Sequence, residues 1–203
     1  MKPFAQCRLY AFIDTAYLGG RAAAEVARQL CDGGADVIQL RAKNSSRAEI
    51  LRMAGEALPI LHKAGVGLVI NDHADVAREI GADACHLGQE DFAVAKPPAT
   101  PFGLSTHSPE QASRAIATGP AYIAVGPVYA TATKPGVPPV TLDYVRWAAA
   151  NVKIPWFAIG GITLDNLDNV LLAGAQRVCA VSAILNAPDI AQACLQFRKR
   201  LPK

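Results

Sequence analysis

The chain has 203 residues, long enough for one substantial core and short for two domains. Hydrophobic residues make up 51% of it, which argues for a folded chain rather than a disordered one. A net charge of +3 is too small to indicate nucleic acid or a membrane surface as partner, although a modest positive excess suits phosphorylated ligands. The five cysteines (Cys7, Cys31, Cys85, Cys179, Cys194) are scattered without a CxxC pair, so they read as free thiols in a reducing compartment. The opening MKPFAQCRLYAF lacks the apolar core and cleavage site of a signal peptide, and no apolar stretch is long enough to span a bilayer. A soluble, cytoplasmic protein is the expectation.

Short apolar runs alternate with amphipathic helical patterns along the whole chain. The run CRLYAFID opens it, followed by a helix over residues 21–32 that Gly33-Gly34 stops. ADVIQLR is the second strand. A long helical pattern over residues 47–64 places Ile50, Ala54, Leu58 and Leu61 on one face, and Pro59 should bend or shorten it. GLVIND is the third strand, with a short helix over residues 74–80, and ADACHLG is the fourth. The segment QEDFAVAKPPATP after it reads as a loop with little room for a full helix. PFGLSTH is the fifth strand. Ser108-Pro109-Glu110-Gln111 then starts a helix, with Ser as N-cap, Pro at the first helical position and Gln completing a capping box, and Gly119 ends it.

AYIAVGPV is the sixth strand, and the long loop YATATKPGVPPVT separates it from a helix over residues 142–150. PWFAIGG is the seventh, ahead of a helix over residues 163–173 with Gly174 beyond its end. RVCAVSAI is the eighth strand, and residues 189–201 form the last helix. Apolar strands that each lead into a helix indicate a parallel sheet covered by helices. Eight such units point to an α/β fold, a single (β/α)₈ TIM barrel with parallel strands over residues 1–203. An open dinucleotide-binding sheet fits less well, because the first turn, DTAYLGGR, lacks GxGxxG spacing.

In such a barrel, chemistry collects at the C-terminal strand ends. Polar residues with no structural excuse sit there. Gln39 and Arg41 alternate to one side of strand two, and Lys43 rises from the loop beyond. Gln39, inside an apolar strand, must hydrogen-bond something. Strand three ends in Asn71-Asp72 and the fourth unit supplies Asp91; two carboxylates from adjacent loops suit a hard cation such as Mg²⁺, although Asp72 could equally cap the third helix and Asp91 lie at the surface. Ser105 ends strand five and is placed to donate to an anion; the absence of GxSxG argues against a Ser–His–Asp nucleophile. His107 follows on a loop where a structural role is equally open, and His73 and His86 read as structural. Thr131, Thr133 and Lys134 suit a phosphorylated ligand, as do the glycines of Gly160-Gly161-Ile162 and the turn Val181-Ser182-Ala183.

The segments QLRAK, IND, GADACHLGQED, GLSTHS, GPVYATATK, AIGGI and VSAI, in this order, resemble the thiamine phosphate synthase family over nearly the whole chain. The departures are small: Ala84-Cys85 stands where the family more often has Gly-Val, and Ala130 where it often has proline. The resemblance implies that Gln39, Arg41, Lys43 and Asn71, with Leu40 and Ala42 between them, hold an aminopyrimidine diphosphate. It makes Asp72 and Asp91 the Mg²⁺ ligands, and puts Ser105 and Lys134 on the diphosphate. Thr131, Ala132, Thr133, Gly161, Val181 and Ser182 then form the thiazole phosphate site. Lys43, Ser105 and Lys134 would be catalytic through charge stabilisation in a dissociative substitution, and a small homo-oligomer is implied. Two alternatives remain: a thiazole tautomerase on the same barrel, with His107 as acid/base, and a non-catalytic barrel that only binds thiazole phosphate.

Overall fold

In the computed structural model, eight parallel strands hydrogen-bond in chain order and close on themselves: β1 (Leu9–Asp14), β2 (Val37–Arg41), β3 (Gly67–Asn71), β4 (Ala84–Leu87), β5 (Phe102–Thr106), β6 (Tyr122–Val125), β7 (Trp156–Ala158) and β8 (Val178–Cys179). The structure describes residues 1–94, 98–131, 136 and 138–202, and within the fourth helix it leaves the side chains of Asp91, Ala93 and Val94 undescribed. β1 joins β8 through Leu9 and Val178, and β1 to β2 through Asp14 opposite Arg41. Nearly every strand residue is buried, because side chains on one face fill the barrel and those on the other meet the helices.

The helices are α1 (Ala23–Asp32), α2 (Arg47–Ala64), α3 (Ala74–Glu79), α4 (Gln89–Val94), α5 (Pro109–Ile116), α6 (Thr141–Asn151), α7 (Leu167–Leu172), α8 (Ser182–Leu185) and α9 (Ile190–Arg200). Pro59 does not shorten α2, which spans residues 47–64 as its periodicity predicts. One missing bond to the Gly55 carbonyl is outweighed by a full capping box between Ser46 and Glu49 and by the buried face of Ile50, Met53, Ala54, Ala57 and Leu61. The loop expected after β4 contains α4, six residues long, whose Phe92 stacks on Phe102 at 5.7 Å between ring centroids.

Three further departures have local causes. Ser108 caps α5 through the Gln111 N–H, but the Gln111 side chain reaches one residue further back and accepts from the His107 N–H at 2.8 Å, so no capping box closes. α7 begins four residues later than its pattern predicts, because the Asn166 side chain binds both the Thr163 N–H and the Gly161 carbonyl and shapes the turn ahead of it. The run RVCAVSAI is only two residues of strand, after which Ser182 opens α8; a short apolar run fits a buried strand and a buried helix equally, and Ile184 and Leu185 are buried in the helical form.

One glycine is dictated by the barrel interior. A Cβ on Gly103 of β5 would sit 2.1 Å from Cζ of Tyr122, so glycine here makes room for the phenol ring that β6 sends inward. Among the described residues, no helix is long and apolar enough to cross a membrane.

Candidate active site

The cavity lies at the C-terminal ends of the strands, and residues from all eight strands or the turns after them line it. On the β2–β3 side two cations line it, each paired with a carboxylate. Arg41 donates to the carboxylate of Asp14 at 2.8 Å, and the other Asp14 oxygen accepts from the Ala16 N–H at 3.0 Å. The guanidinium is therefore held in place by a carboxylate that is only 1% exposed. Lys43 pairs with Asp72 at 3.4 Å, and Asn71 donates to the same Asp72 oxygen at 2.6 Å. Asp72 has φ 64°, in the left-handed region that aspartate tolerates better than most side chains, and its N–H is tied to the His86 carbonyl at 2.8 Å. Asp72 thus joins the rim of the cavity instead of capping α3, whose N-cap is His73.

Below this rim the floor is a buried polar chain. Gln39 Nε2 donates to Tyr10 OH at 2.8 Å, and Tyr10 OH meets Tyr122 OH at 2.9 Å. Tyr122 OH meets His86 Nδ1 at 3.0 Å, and His86 Nε2 meets Ser105 Oγ at 3.0 Å. Burial pushes the Tyr10 hydroxyl well above the usual phenol range, and Tyr122 follows for the same reason with its neighbour Tyr10 adding to it, so both keep their protons at neutral pH. The partner that Gln39 was expected to need is a tyrosine from β1.

Opposite this ion-paired rim, Thr131, Gly161, Val181 and Ser182 line the other side. The glycines there answer to the neighbouring loop: a Cβ on Gly160 would lie 2.4 Å from Cα of Pro127, and one on Gly161 would lie 2.7 Å from the Ala130 carbonyl oxygen. The close approach holds the β6 and β7 loops together, with Val128 N–H on Ile159 O at 2.8 Å and Tyr129 N–H on Gly160 O at 3.0 Å. The first N–H groups of α8 face no intrahelical acceptor, as at any helix start. His107 also lines the cavity, with Nδ1 on the Gly126 carbonyl.

The structure therefore gathers Gln39, Arg41, Lys43, Asn71, Asp72, Ser105, Thr131, Gly161, Val181 and Ser182 around one cavity. Leu40 and Ala42 are buried and absent from its lining, because they alternate with Gln39, Arg41 and Lys43 to the other face of the strand. Ala132, Thr133 and Lys134 lie outside the described residues; Asp91 is placed in α4 without a described side chain. Sequence reasoning missed Asp14, Tyr10 and Tyr122, and took His86 as structural. Each sits in an apolar strand, and the signal that finds them is the same alternation that picked out Gln39: a polar atom on the inward face of a barrel strand needs a partner inside.

The donor set accommodates a hard cation. Asp72 offers a carboxylate at the rim beside Lys43, while no group of three or more His, Cys, Asp or Glu occurs among the described residues. Mg²⁺ needs only one or two protein carboxylates, because waters and ligand phosphate oxygens complete its octahedron. Cys179 is the one thiol that lines the cavity among the described residues, and burial raises its pKa well above the ordinary value.

A family model described as thiamine monophosphate synthase matches residues 9–184. The chain belongs to the thiamine monophosphate synthase family. Its relatives include the thiamine-phosphate synthase of Thermus thermophilus, 48% identical over 173 residues that cover 83% of this chain and 84% of that one. The thiamine-phosphate synthase of Acidothermus cellulolyticus is 44% identical over 205 residues, covering 97% of this chain and 96% of the other. Among solved structures, a thiamine phosphate pyrophosphorylase from Pyrococcus furiosus superimposes with a TM-score of 0.85 at 29% identity, over 98% of this chain and 96% of that one. The matched family span runs from the first strand into α8, so it includes every candidate site residue.

Proposed function

We propose that the chain is a thiamine phosphate synthase, joining an aminopyrimidine methyl diphosphate to a thiazole phosphate with release of pyrophosphate. The observation that carries this reading is that one cavity has two unlike sides. On one side stand Arg41 and Lys43, each paired with a carboxylate (Asp14 and Asp72), together with Asn71; on the other stand the small groups of Thr131, Gly161, Val181 and Ser182. Two phosphorylated substrates can then lie with their reacting ends toward each other.

In the reaction, the methylene C–O bond breaks and its electron pair leaves on the diphosphate. The thiazole ring nitrogen then gives its lone pair to the methylene carbon. Arg41 and Lys43 balance the charge gathered on the leaving group, and Ser105 donates a hydrogen bond to it. Lys134 is assigned the same role from the sequence. The residues that would hold Mg²⁺ are Asp72 and Asp91, where the ion supplies charge neutralisation at diphosphate oxygens when bound. The rings of Tyr10, Phe12 and Tyr122 line the floor and keep water from the cationic methylene carbon. Gln39 presents its amide to the pyrimidine edge. A barrel domain over residues 1–203, a cytoplasmic location and a small homo-oligomer belong to the same proposal.

Calorimetry with pyrophosphate separates this reading from its rivals. Titrating pyrophosphate into the purified chain should give heat that depends on Mg²⁺. A tautomerase or a barrel that only binds thiazole phosphate has no diphosphate site, so absence of metal-dependent heat would refute the proposal.

A further inference from the structure

The floor of the cavity carries a hydrogen-bond chain whose direction follows, by proton counting, from the orientation of the Gln39 amide. Gln39 Nε2 is a donor, so Tyr10 OH accepts from it at 2.8 Å. A phenol has a single proton to give. For Tyr10, 1% exposed, the other partner across 2.9 Å is Tyr122 OH, so the Tyr10 proton goes there. Tyr122 is fully buried and must in turn pass its proton to His86 Nδ1 at 3.0 Å. An imidazole that accepts at Nδ1 carries its proton on Nε2, and it donates that proton to Ser105 Oγ at 3.0 Å. Ser105 Oγ is then an acceptor toward His86, and its own proton is left to give to the cavity, which Ser105 lines. With the Gln39 amide so placed, reversing any middle link leaves a phenol proton with no acceptor in this chain of groups, at the cost of an unmade buried hydrogen bond.

We infer that Tyr10, Tyr122 and His86 are positioning residues, a directional relay that holds the Ser105 hydroxyl as a donor into the cavity and ties it to the amide orientation of Gln39. With the Gln39 amide turned over, its oxygen would accept from Tyr10 and every link would reverse. Ser105 would then spend its proton on His86 and have none for an anion. A heteroaromatic ring edge that offers an N–H to the Gln39 oxygen fixes the amide in the productive sense, as amide side chains do when they read such an edge elsewhere. The relay therefore makes leaving-group stabilisation depend on the correct ring being bound. This consequence rests on the synthase reading; the direction of the relay does not.

Two measurements test it. In single-turnover assays, Ser105→Ala should slow product formation roughly 10²-fold, the usual cost of losing one donor to a developing anion. Tyr122→Phe should slow it by a similar order while leaving KM for thiazole phosphate unchanged, and the double variant should be no slower than Ser105→Ala alone. Multiplying effects would overturn the relay, because they would mean that Tyr122 acts by a route other than Ser105. The second measurement needs no variant: ¹⁵N NMR of the His86 imidazole in the unmodified chain should show the Nε2–H tautomer, and an Nδ1–H tautomer would overturn the inference even if Tyr122→Phe does not fold. A chain with the Nε2–H tautomer that makes no thiamine phosphate would leave the relay standing and refute the synthase reading.

Discussion

Removing Asp14 should weaken both the fold and the anion site, because its carboxylate has two commitments inside the barrel. One oxygen holds Arg41 at 2.8 Å and the other holds the Ala16 N–H at 3.0 Å, with side chains 1% and 14% exposed for Asp14 and Arg41. Breaking a buried pair from one side costs about 3–5 kcal/mol, since the remaining charge stays desolvated. Arg41 lines an open cavity, so water reaches it and the lower end applies. Adding about 1 kcal/mol for the lost hydrogen bond from the Ala16 N–H gives roughly 4 kcal/mol for Asp14→Ala. For a domain of this size each kcal/mol lowers Tm by about 2–4 °C, so thermal denaturation followed by circular dichroism should fall by roughly 8–16 °C. Asp14→Asn keeps one acceptor for two donors and should lie between the variant and the natural protein. Asp14→Leu combined with Arg41→Met should recover much of the loss, because two apolar residues leave no charge unpaired. An Asp14→Ala protein melting within about 2 °C of the original, or a double variant whose losses simply add, would refute this reasoning.

Thr131→Val should raise KM for thiazole phosphate with little change in kcat, because a hydroxyl on the remote phosphate contributes equally in ground and transition states; steady-state kinetics check it. Asp36→Asn should cost about 1.5–3 kcal/mol at pH 7 in urea denaturation. Burial alone would raise the Asp36 carboxyl, but the Lys2 ammonium and the Arg8 and Leu9 N–H groups outweigh it and hold the group below its ordinary value. A depressed carboxyl stabilises the fold above its unfolded pKa, so this contribution should fade as pH drops below about 4, and the variant should lose that part of the acid slope. Burial pushes the thiols of Cys7 and Cys31 up to about 11 and that of Cys194 up to about 12, with nearby Asp36 and Asp32 adding to the first two. Iodoacetamide at pH 7.5 should therefore leave these three unmodified in the native chain, as mass spectrometry would read, and label them once it is unfolded.

Strand ends were legible because Gln39, Asn71 and Ser105 interrupt apolar runs, and an inward polar atom in a barrel has few uses besides function or partnering. The boundaries of α2 were legible because its apolar face keeps one period for eighteen residues, between Ser46 and Gly65. Tyr10 and Tyr122 were not, because an aromatic residue in a strand reads as core, and only barrel closure brings β1 and β6 together across 112 residues of chain. Asp14 was not legible for another reason: its partner Arg41 is set by the β1–β2 register, which no local pattern supplies. The α8 segment was misread because its apolar run carries no periodicity over so few residues. What periodicity supplies is the frame; which inward side chains meet depends on contacts that no local pattern encodes.

The most direct test of the account is to incubate the purified chain with the aminopyrimidine methyl diphosphate, thiazole phosphate and Mg²⁺, and to quantify both products. Thiamine phosphate and pyrophosphate should appear in equal amounts, and chelating the metal should stop both. Pyrophosphate without thiamine phosphate, or neither product while both substrates bind, would contradict the claim that this cavity joins the two.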